Sequence, residues 1–218
     1  EPDRPKVMKE LMNDYLELFE RGGIHSIVAS IKDSDPKITY EATRLSAAEH
    51  RYPLHIGITE AGPLIPSLVK SAFYLGKLLE EGIGDTLRVS ITGSLTDEVR
   101  AAREILRLHE SPQTGGVGAG VRIISCPRCG RATFDSQWFM EAVQDYLDTL
   151  NAPVTVAVMG CSVNGPGEAA HADIAITGVG TKIFIYRKGS KVAETTPERC
   201  IDDFIAELQR VLNETSHN

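Results

Sequence analysis

The chain has 218 residues, of which 42% are apolar and 24% are charged, and its formal net charge is −7. This length allows one large domain or two modest ones, each with a hydrophobic core. An acidic chain without clustered basic residues is a poor candidate for binding nucleic acid, and the sequence has no run of about 20 apolar residues that would predict a membrane span.

Helices and strands alternate over the first half of the sequence. The spacing of apolar residues predicts helices at residues 6–21, 35–50, 65–80 and 96–110, and strands at 24–31, 53–58 and 86–91. A helix follows each strand, which is typical of a parallel sheet. Three such units are too few for a closed (β/α)8 barrel, which needs about 200 residues or more. We therefore predict the C-terminal portion of a TIM-type barrel, with a small open α/β sheet as the alternative.

Polar side chains stand at the ends of these strands, where α/β barrels carry their chemistry. Glu60 follows the second strand and is either a general acid or base or an ordinary loop carboxylate or helix cap. Arg88 and Ser90 alternate on the third strand, so they share one face. An arginine in an apolar strand needs an anionic partner, which is either a phosphate or an internal carboxylate. Lys32 closes the first strand and either meets the same anion or is a surface lysine.

A glycine-rich segment, SPQTGGVGAG at residues 111–120, separates the two halves. It does not follow a strand and open a helix as phosphate-binding loops do, so we interpret it as a linker. The domains are then residues 1–115 and 116–218. In the second domain we predict strands at 121–125, 154–159, 174–177, 182–186 and 191–193, and helices at 136–150 and 197–212, which together form a small α+β domain.

The sequence has four cysteines. Cys126 and Cys129 form a CxxC pair just after a strand, and Cys161 directly follows another. If those strands are neighbours, all three thiolates reach one edge of the sheet. Three thiolate ligands are one fewer than the four that usually hold a cluster or a structural zinc. Cys200 lies in the closing helix and is interpreted as a buried apolar residue. This pattern fits a reducing compartment and, with no visible signal peptide, we expect a cytoplasmic protein.

The segment CSVNGPGE, which begins at Cys161, supplies a candidate for the missing ligand. Its glycines and proline at 165–167 predict a tight turn that brings Glu168 back towards the metal. A carboxylate is harder and more easily displaced than a thiolate, as a catalytic cluster requires. Structural zinc is the main alternative, although His171 is the only nearby histidine, and a CxxC redox pair is the third.

Five segments of the sequence resemble segments of one known family. CPRCGR at 126–131 and MGCSVNGPGEA at 159–169 resemble the iron–sulfur domain of the 4-hydroxy-3-methylbut-2-enyl diphosphate synthase family. Three more segments resemble the last part of that family's barrel, in the expected order: HIGITEAG at 55–62, VKSA at 69–72 and EGIGDTLRVS at 81–90. The resemblance implies a partial TIM-type barrel that binds the substrate diphosphate, followed by a [4Fe–4S] domain.

The resemblance also implies an activity. Members of the family act in the non-mevalonate pathway of isoprenoid biosynthesis, where they reduce 2-C-methyl-D-erythritol 2,4-cyclodiphosphate to (E)-4-hydroxy-3-methylbut-2-enyl diphosphate. Their electrons come from ferredoxin or flavodoxin. Matching positions imply that the cluster ligands are Cys126, Cys129, Cys161 and Glu168. They also imply that Glu60 is the acid or base and that the diphosphate ligands are Lys32, Arg88 and Ser90.

The chain departs from the family in one respect. Full-length members include the first part of the barrel, which carries further arginines for the diphosphate, so we expect a fragment of the two-domain bacterial type. The resemblance implies a homodimer in which the cluster domain of one subunit caps the barrel of its partner. The alternatives are a structural zinc or electron-transfer module without catalysis, and a cluster domain like that of sulfite or nitrite reductases, for which no second cysteine motif is present.

Overall fold

The computed structural model describes residues 3–49, 51–109, 120–127, 129–161 and 165–215. The chain divides into two compact units, Glu1–Gly118 and Ala119–Asn218. The linker predicted at 111–120 and the boundary predicted after residue 115 lie outside the described residues, apart from Gly120. None of the helices in the described ranges is long and apolar enough to cross a membrane.

The first unit alternates helices with short strands. Its elements are α1 (Arg4–Arg21), α2 (Pro36–Ala47), β1 (His55–Gly57), α3 (Leu64–Glu80), β2 (Thr86–Arg88) and α4 (Leu95–His109). The first two helices begin in the same way, because the side chains of Asp3 and Asp35 accept backbone N–H groups and a proline occupies the first turn. Both devices favour a helix start, since the N–H groups of the first turn have no partner within the helix.

The strands of this unit run parallel, as predicted. β1 pairs with β2, with Gly57 opposite Arg88, and Ala29 forms an isolated parallel bridge with Leu54. The strand predicted at 24–31 is therefore wrong in extent, because this bridge is all that forms there among the described residues. The chain order of the three segments is also their order across the sheet.

The helices of the first unit cover one face of this small sheet. Strand and strand-end residues Ile56, Ile58 and Val89 are each no more than 2% exposed. They pack in one cluster with apolar residues of α3 and α4, including Leu75 and Ile105. Since side chains alternate along a strand, the intervening residues of β1 and β2 point to the opposite face.

The second unit is a five-stranded sheet with helices on both faces. Its elements are β3 (Arg122–Ser125), α5 (Ser136–Asp148), β4 (Thr155–Met159), α6 (Gly165–His171), β5 (Ile174–Val179), β6 (Lys182–Arg187), β7 (Ser190–Thr195) and α7 (Cys200–Thr215). The strands lie in sequence order. β3, β4 and β5 are parallel, and β5, β6 and β7 are antiparallel. The larger core lies between the sheet and helices α5 and α7.

The short helix α6 covers the other face and corrects one prediction. The tight turn predicted at 165–167 is instead the first turn of α6, which also contains Glu168. A proline suits the first turn of a helix. Ala169 and Ala172 pack against β4 and β5 beside Ala157 and Ala175, and this packing stabilises a helix that the glycines alone would not favour.

Candidate functional site

A polar face lies opposite the helices of the first unit. Paired residues on neighbouring strands point to the same side, so the register puts His55, Gly57, Thr86 and Arg88 together. Ser30 joins them, because its hydroxyl donates to the His55 carbonyl at 2.8 Å. The interior of a barrel is normally filled by branched apolar side chains. Polar side chains on the face of this unit opposite its helices therefore indicate a binding site.

The Lys32 ammonium is buried on this face. Its Nζ has no hydrogen-bond partner among the described residues. Burial, with a smaller contribution from the Arg88 guanidinium, lowers the pKa of Lys32 below its ordinary value. A buried cation without a partner is costly, so this arrangement argues against an ordinary surface lysine and suits an anion supplied by a ligand.

Arg88 ends β2 beside Lys32 and is exposed. No carboxylate in the described part of the chain forms an ion pair with it. The internal Asp or Glu that the sequence left open as its partner is therefore not found in that part. Two neighbouring cations, with no anion between them in the described part of the chain, favour a doubly charged or larger anion such as a diphosphate.

His55 belongs to this face and was missed by the sequence reasoning. Its Nδ1 lies 2.9 Å from the Thr86 hydroxyl. Burial, followed by the charges of Lys32 and Arg88, lowers the pKa of His55 below its ordinary value, so the ring is neutral at pH 7. The signal was present in the sequence, since a histidine alternates with a glycine at the inward positions of the strand PLHIGI.

Glu60 lies in a strained loop after β1. Its φ is +51°, in the left-handed region that non-glycine residues rarely adopt. The loop is held from two sides: the Lys70 ammonium donates to the Ala61 carbonyl at 3.0 Å, and the Thr92 N–H donates to the Gly62 carbonyl at 2.9 Å. The Glu60 side chain is exposed. Such strain at a strand end is typical of functional positions.

Ser90 lies just beyond β2, which ends at Arg88. The strand predicted at 86–91 is therefore too long, and Arg88 and Ser90 do not both belong to it. Ser90 is half-buried, and its carbonyl accepts the Ser67 hydroxyl at 2.5 Å. This bond ties the end of β2 to α3. The Ser90 backbone is therefore fixed close to the end of β2.

In the second unit, two predicted ligands follow neighbouring parallel strands. Ser125 pairs with Val158, so Cys126 directly follows the end of β3 while Cys161 comes just after β4. The Gly160 N–H donates to the Cys126 sulfur at 3.0 Å. Backbone N–H groups directed at the sulfurs are typical of iron–sulfur cluster ligands. Cys161 is buried, and its carbonyl accepts the Thr177 hydroxyl.

The other two predicted ligands lie on separate elements. Cys129 is exposed in the loop after β3, where its carbonyl accepts the Ala132 N–H at 3.0 Å. Glu168 is half-buried in the first turn of α6. Within the described ranges, no three Cys, His, Asp or Glu side chains come close enough to hold a metal ion. All four cysteines are free thiols.

The donor set nevertheless fits an iron–sulfur cluster in its chemistry. Three thiols and a carboxylate stand on the loops after β3 and β4 and on α6, and one sulfur already accepts a backbone N–H as cluster sulfurs do. Cys200 is different, because it is fully buried in the core between α5 and α7. Burial raises the pKa of its thiol, which fits the packing role expected for it.

Comparisons with known proteins agree with the two-unit architecture. Residues 1–103 match the family model described as the GcpE TIM-barrel domain. Residues 122–210 match the model of the GcpE protein C-terminal domain.

Three relatives, each named 4-hydroxy-3-methylbut-2-en-1-yl diphosphate synthase (flavodoxin), illustrate the similarity. The protein from Thermodesulfovibrio yellowstonii is 44% identical over 206 residues, which are 94% of this chain and 57% of the relative. That from Caldanaerobacter subterraneus subsp. tengcongensis is 40% identical over 210 residues, 96% of this chain and 58% of the relative. That from Clostridium acetobutylicum is 40% identical over 206 residues, 94% of this chain and 58% of the relative.

The chain thus spans a little over half the length of these relatives. Because both domain models match in order and together leave only short segments unmatched, the chain belongs to the GcpE family.

Proposed function

We propose that this chain supplies the diphosphate-binding and cluster-binding parts of a 4-hydroxy-3-methylbut-2-en-1-yl diphosphate synthase. Relatives at 38–44% identity carry that name. The reaction would open the ring of 2-C-methyl-D-erythritol 2,4-cyclodiphosphate and remove a hydroxyl as water. Two electrons reduce the substrate, one proton joins the departing hydroxyl, and the diphosphate oxygen released by ring opening keeps its negative charge. The role of the barrel unit is to bind the substrate, and the role of the second unit is to deliver electrons.

The observation that carries this proposal is the Lys32 ammonium, which is buried beside Arg88 without a partner among the described residues. A diphosphate offers several anionic oxygens to such a pair, and the guanidinium can bind two of them at once. Ser90 would add a hydroxyl donor from the same strand end. As the ring opens, negative charge grows on the departing diphosphate oxygen, which these cations stabilise.

Proton transfer is assigned to Glu60. Its loop, held by Lys70 and Thr92, follows the end of β1, and Arg88 ends the neighbouring strand β2. In its protonated form the carboxyl group would donate a proton as the hydroxyl leaves as water. The left-handed backbone at this residue supports a functional role, since such strain persists only where surrounding contacts impose it.

Cys126, Cys129, Cys161 and Glu168 would hold a [4Fe–4S] cluster. When bound, the cluster supplies electrons singly and a Lewis-acidic iron. Glu168 would hold its iron through oxygen, a bond more easily exchanged than one to a thiolate. The names of the relatives give flavodoxin as the electron donor, and we propose the same donor here, together with a homodimer and a cytoplasmic location.

The first test is the iron and acid-labile sulfide content of the chain purified without oxygen. We expect about four of each per chain, and loss of both in Cys126→Ser, Cys129→Ser and Cys161→Ser. Cys200→Ala is the matched control, because this buried thiol lies in the core and the substitution should leave the iron content unchanged. Zinc without sulfide would contradict the proposal and favour the structural zinc module.

A further inference from the structure

Gly57 is an unusual residue for its position. It ends β1 and points to the polar face, opposite Arg88. Its φ is not among the left-handed values of this unit, which occur at Glu60 and at turn glycines such as Gly23 and Gly62. The backbone conformation therefore does not require glycine. Because glycine weakens a strand, its presence inside one indicates that something approaches the backbone closely.

Two groups approach Gly57 closely. A Cβ at this position would lie 3.0 Å from the Lys32 Nζ and 2.9 Å from the Arg88 carbonyl oxygen. Both separations are too short for an ordinary carbon contact. The Lys32 ammonium thus occupies the space that a side chain of residue 57 would fill.

We propose that Gly57 is a positioning residue that acts through Lys32, because its missing side chain keeps the ammonium against β1 and beside Arg88. This inference rests on the proposed function, in which Lys32 and Arg88 bind a diphosphate. With alanine at residue 57, the ammonium moves outward, away from Arg88. The two cations then no longer converge on one anion.

A second explanation has to be separated from this one. The Arg88 carbonyl also limits the space at Gly57. In this second explanation, a side chain at residue 57 pushes β1 away from β2 and weakens anion binding without acting through Lys32. The two explanations differ in their dependence on Lys32. If Gly57 acts through the ammonium, its substitution has no further effect once the ammonium is gone, whereas a strand displacement acts with or without it.

The experiment is a double-mutant cycle read by calorimetric titration of the full chain with inorganic pyrophosphate. The four proteins are the parent, Gly57→Ala, Lys32→Met and the double variant. We expect each single substitution to weaken binding by about tenfold or more, as for the loss of one charged contact, and the double variant to bind like Lys32→Met. Gly22→Ala is the control, because Gly22 caps α1 with a φ of −80° that alanine accepts.

A second variant keeps the test independent of the folding of Gly57→Ala. Lys32→Arg retains the positive charge but places a larger planar group in the same space, so it should also weaken pyrophosphate binding by about tenfold. The pKa of Lys32, followed by NMR of the labelled side chain, should rise towards its ordinary value in Gly57→Ala. A role limited to strand pairing would not predict that rise.

Three results would overturn the inference. Parent-like affinity in Gly57→Ala or in Lys32→Arg would show that the space at residue 57 does not control anion binding. Equal weakening by Gly57→Ala in the presence and absence of Lys32 would assign the effect to strand displacement. A parent chain that does not bind pyrophosphate would instead refute the anion site itself, and with it the proposed function, so the two failures are distinguishable.

Discussion

The Lys32 ammonium is a buried charge that no described side chain balances. Replacing a buried charge with an apolar side chain of similar length often stabilises a protein, since the desolvation cost disappears. We expect Lys32→Met to raise the free energy of unfolding of the first unit by about 1 kcal/mol, while pyrophosphate binding weakens by about tenfold or more. Urea denaturation measures the first effect.

Lys37→Met is the matched control for this substitution. Lys37 is exposed on α2 and forms a long ion pair with Glu41, at 3.9 Å. Such pairs contribute little, so the control should change stability by less than about 0.5 kcal/mol and leave binding intact. A clear loss of stability in Lys32→Met would mean that the ammonium has a structural partner.

Lys32 also makes anion binding dependent on pH. Burial and the nearby Arg88 lower the pKa of Lys32 in the free protein, and a bound anion raises it again because it favours the ammonium. Binding therefore takes up a proton between the two pKa values. Pyrophosphate affinity should fall as the pH rises through the lowered Lys32 pKa. The lowered pKa of His55 leaves its ring neutral throughout this alkaline range.

Calorimetry between about pH 7 and 10 in buffers of different ionisation enthalpy measures this proton uptake. Comparison with Lys32→Met removes the contribution of protonation of pyrophosphate itself. If the difference between the two proteins does not change with pH, Lys32 is not the titrating group.

Glu60 is the residue to which we assign proton transfer. Glu60→Gln keeps the size and hydrogen-bonding capacity of the side chain but cannot transfer a proton. In a preparation that converts the cyclodiphosphate, turnover should fall by about 100-fold or more, while iron content and pyrophosphate affinity stay at parent levels. Parent-like turnover in this variant would exclude the acid or base role.

At the scale of single elements, the second unit depends on the contact of α5 and α7 with the sheet. Phe204 of α7 is fully buried and meets Phe139 of α5 edge-to-face, with ring centroids 5.2 Å apart. Phe204→Ala should lower the stability of this unit by about 3–5 kcal/mol through lost burial and a cavity. Val192→Ala, at an exposed residue of β7, is the control and should cost far less. Thermal unfolding followed by circular dichroism measures both.

The elements also show which helices and strands could be predicted from the sequence alone. The helices and parallel strands followed from apolar spacing, because helices such as α7 bury one side against a sheet. The strand at 24–31 failed because apolar composition is not enough. Of the described residues in this segment, only Ala29 exchanges backbone hydrogen bonds with the neighbouring segment, through the Pro53 carbonyl and the His55 N–H. In α6, packing of alanines on the sheet outweighed the glycines that predicted a turn.

The candidate site was predictable in its residue types and less so in its geometry. Their positions at strand ends predicted that Lys32 and Arg88 are partners for one anion, but neither spacing nor composition could show that the ammonium is buried over Gly57. The left-handed backbone of Glu60 likewise depends on contacts made by Lys70, ten residues away in the next helix. Such properties arise from tertiary contacts, which single-sequence patterns do not contain.

At the scale of the whole molecule, the described hydrophobic clusters are each built within one unit. The clusters around Ile56 and around Leu16 belong to the first unit, and those around Phe139 and Ala157 belong to the second. The two proposed ligands also divide in this way, since the cations for the diphosphate lie in the first unit and the candidate cluster ligands lie in the second.

Separate cores and separate ligands predict two thermal transitions that respond independently. A ligand stabilises the unit that binds it, by about 2.7 kcal/mol at 100 times its dissociation constant. Pyrophosphate should therefore raise the transition that Lys32→Met also raises, and leave the other unchanged. Reconstitution with iron and sulfide should raise the transition that Phe204→Ala lowers, because metal binding stabilises only the fold that presents its ligands. Differential scanning calorimetry under anaerobic conditions measures both shifts, and a single transition moved by either ligand would show that the units unfold as one body and contradict the prediction.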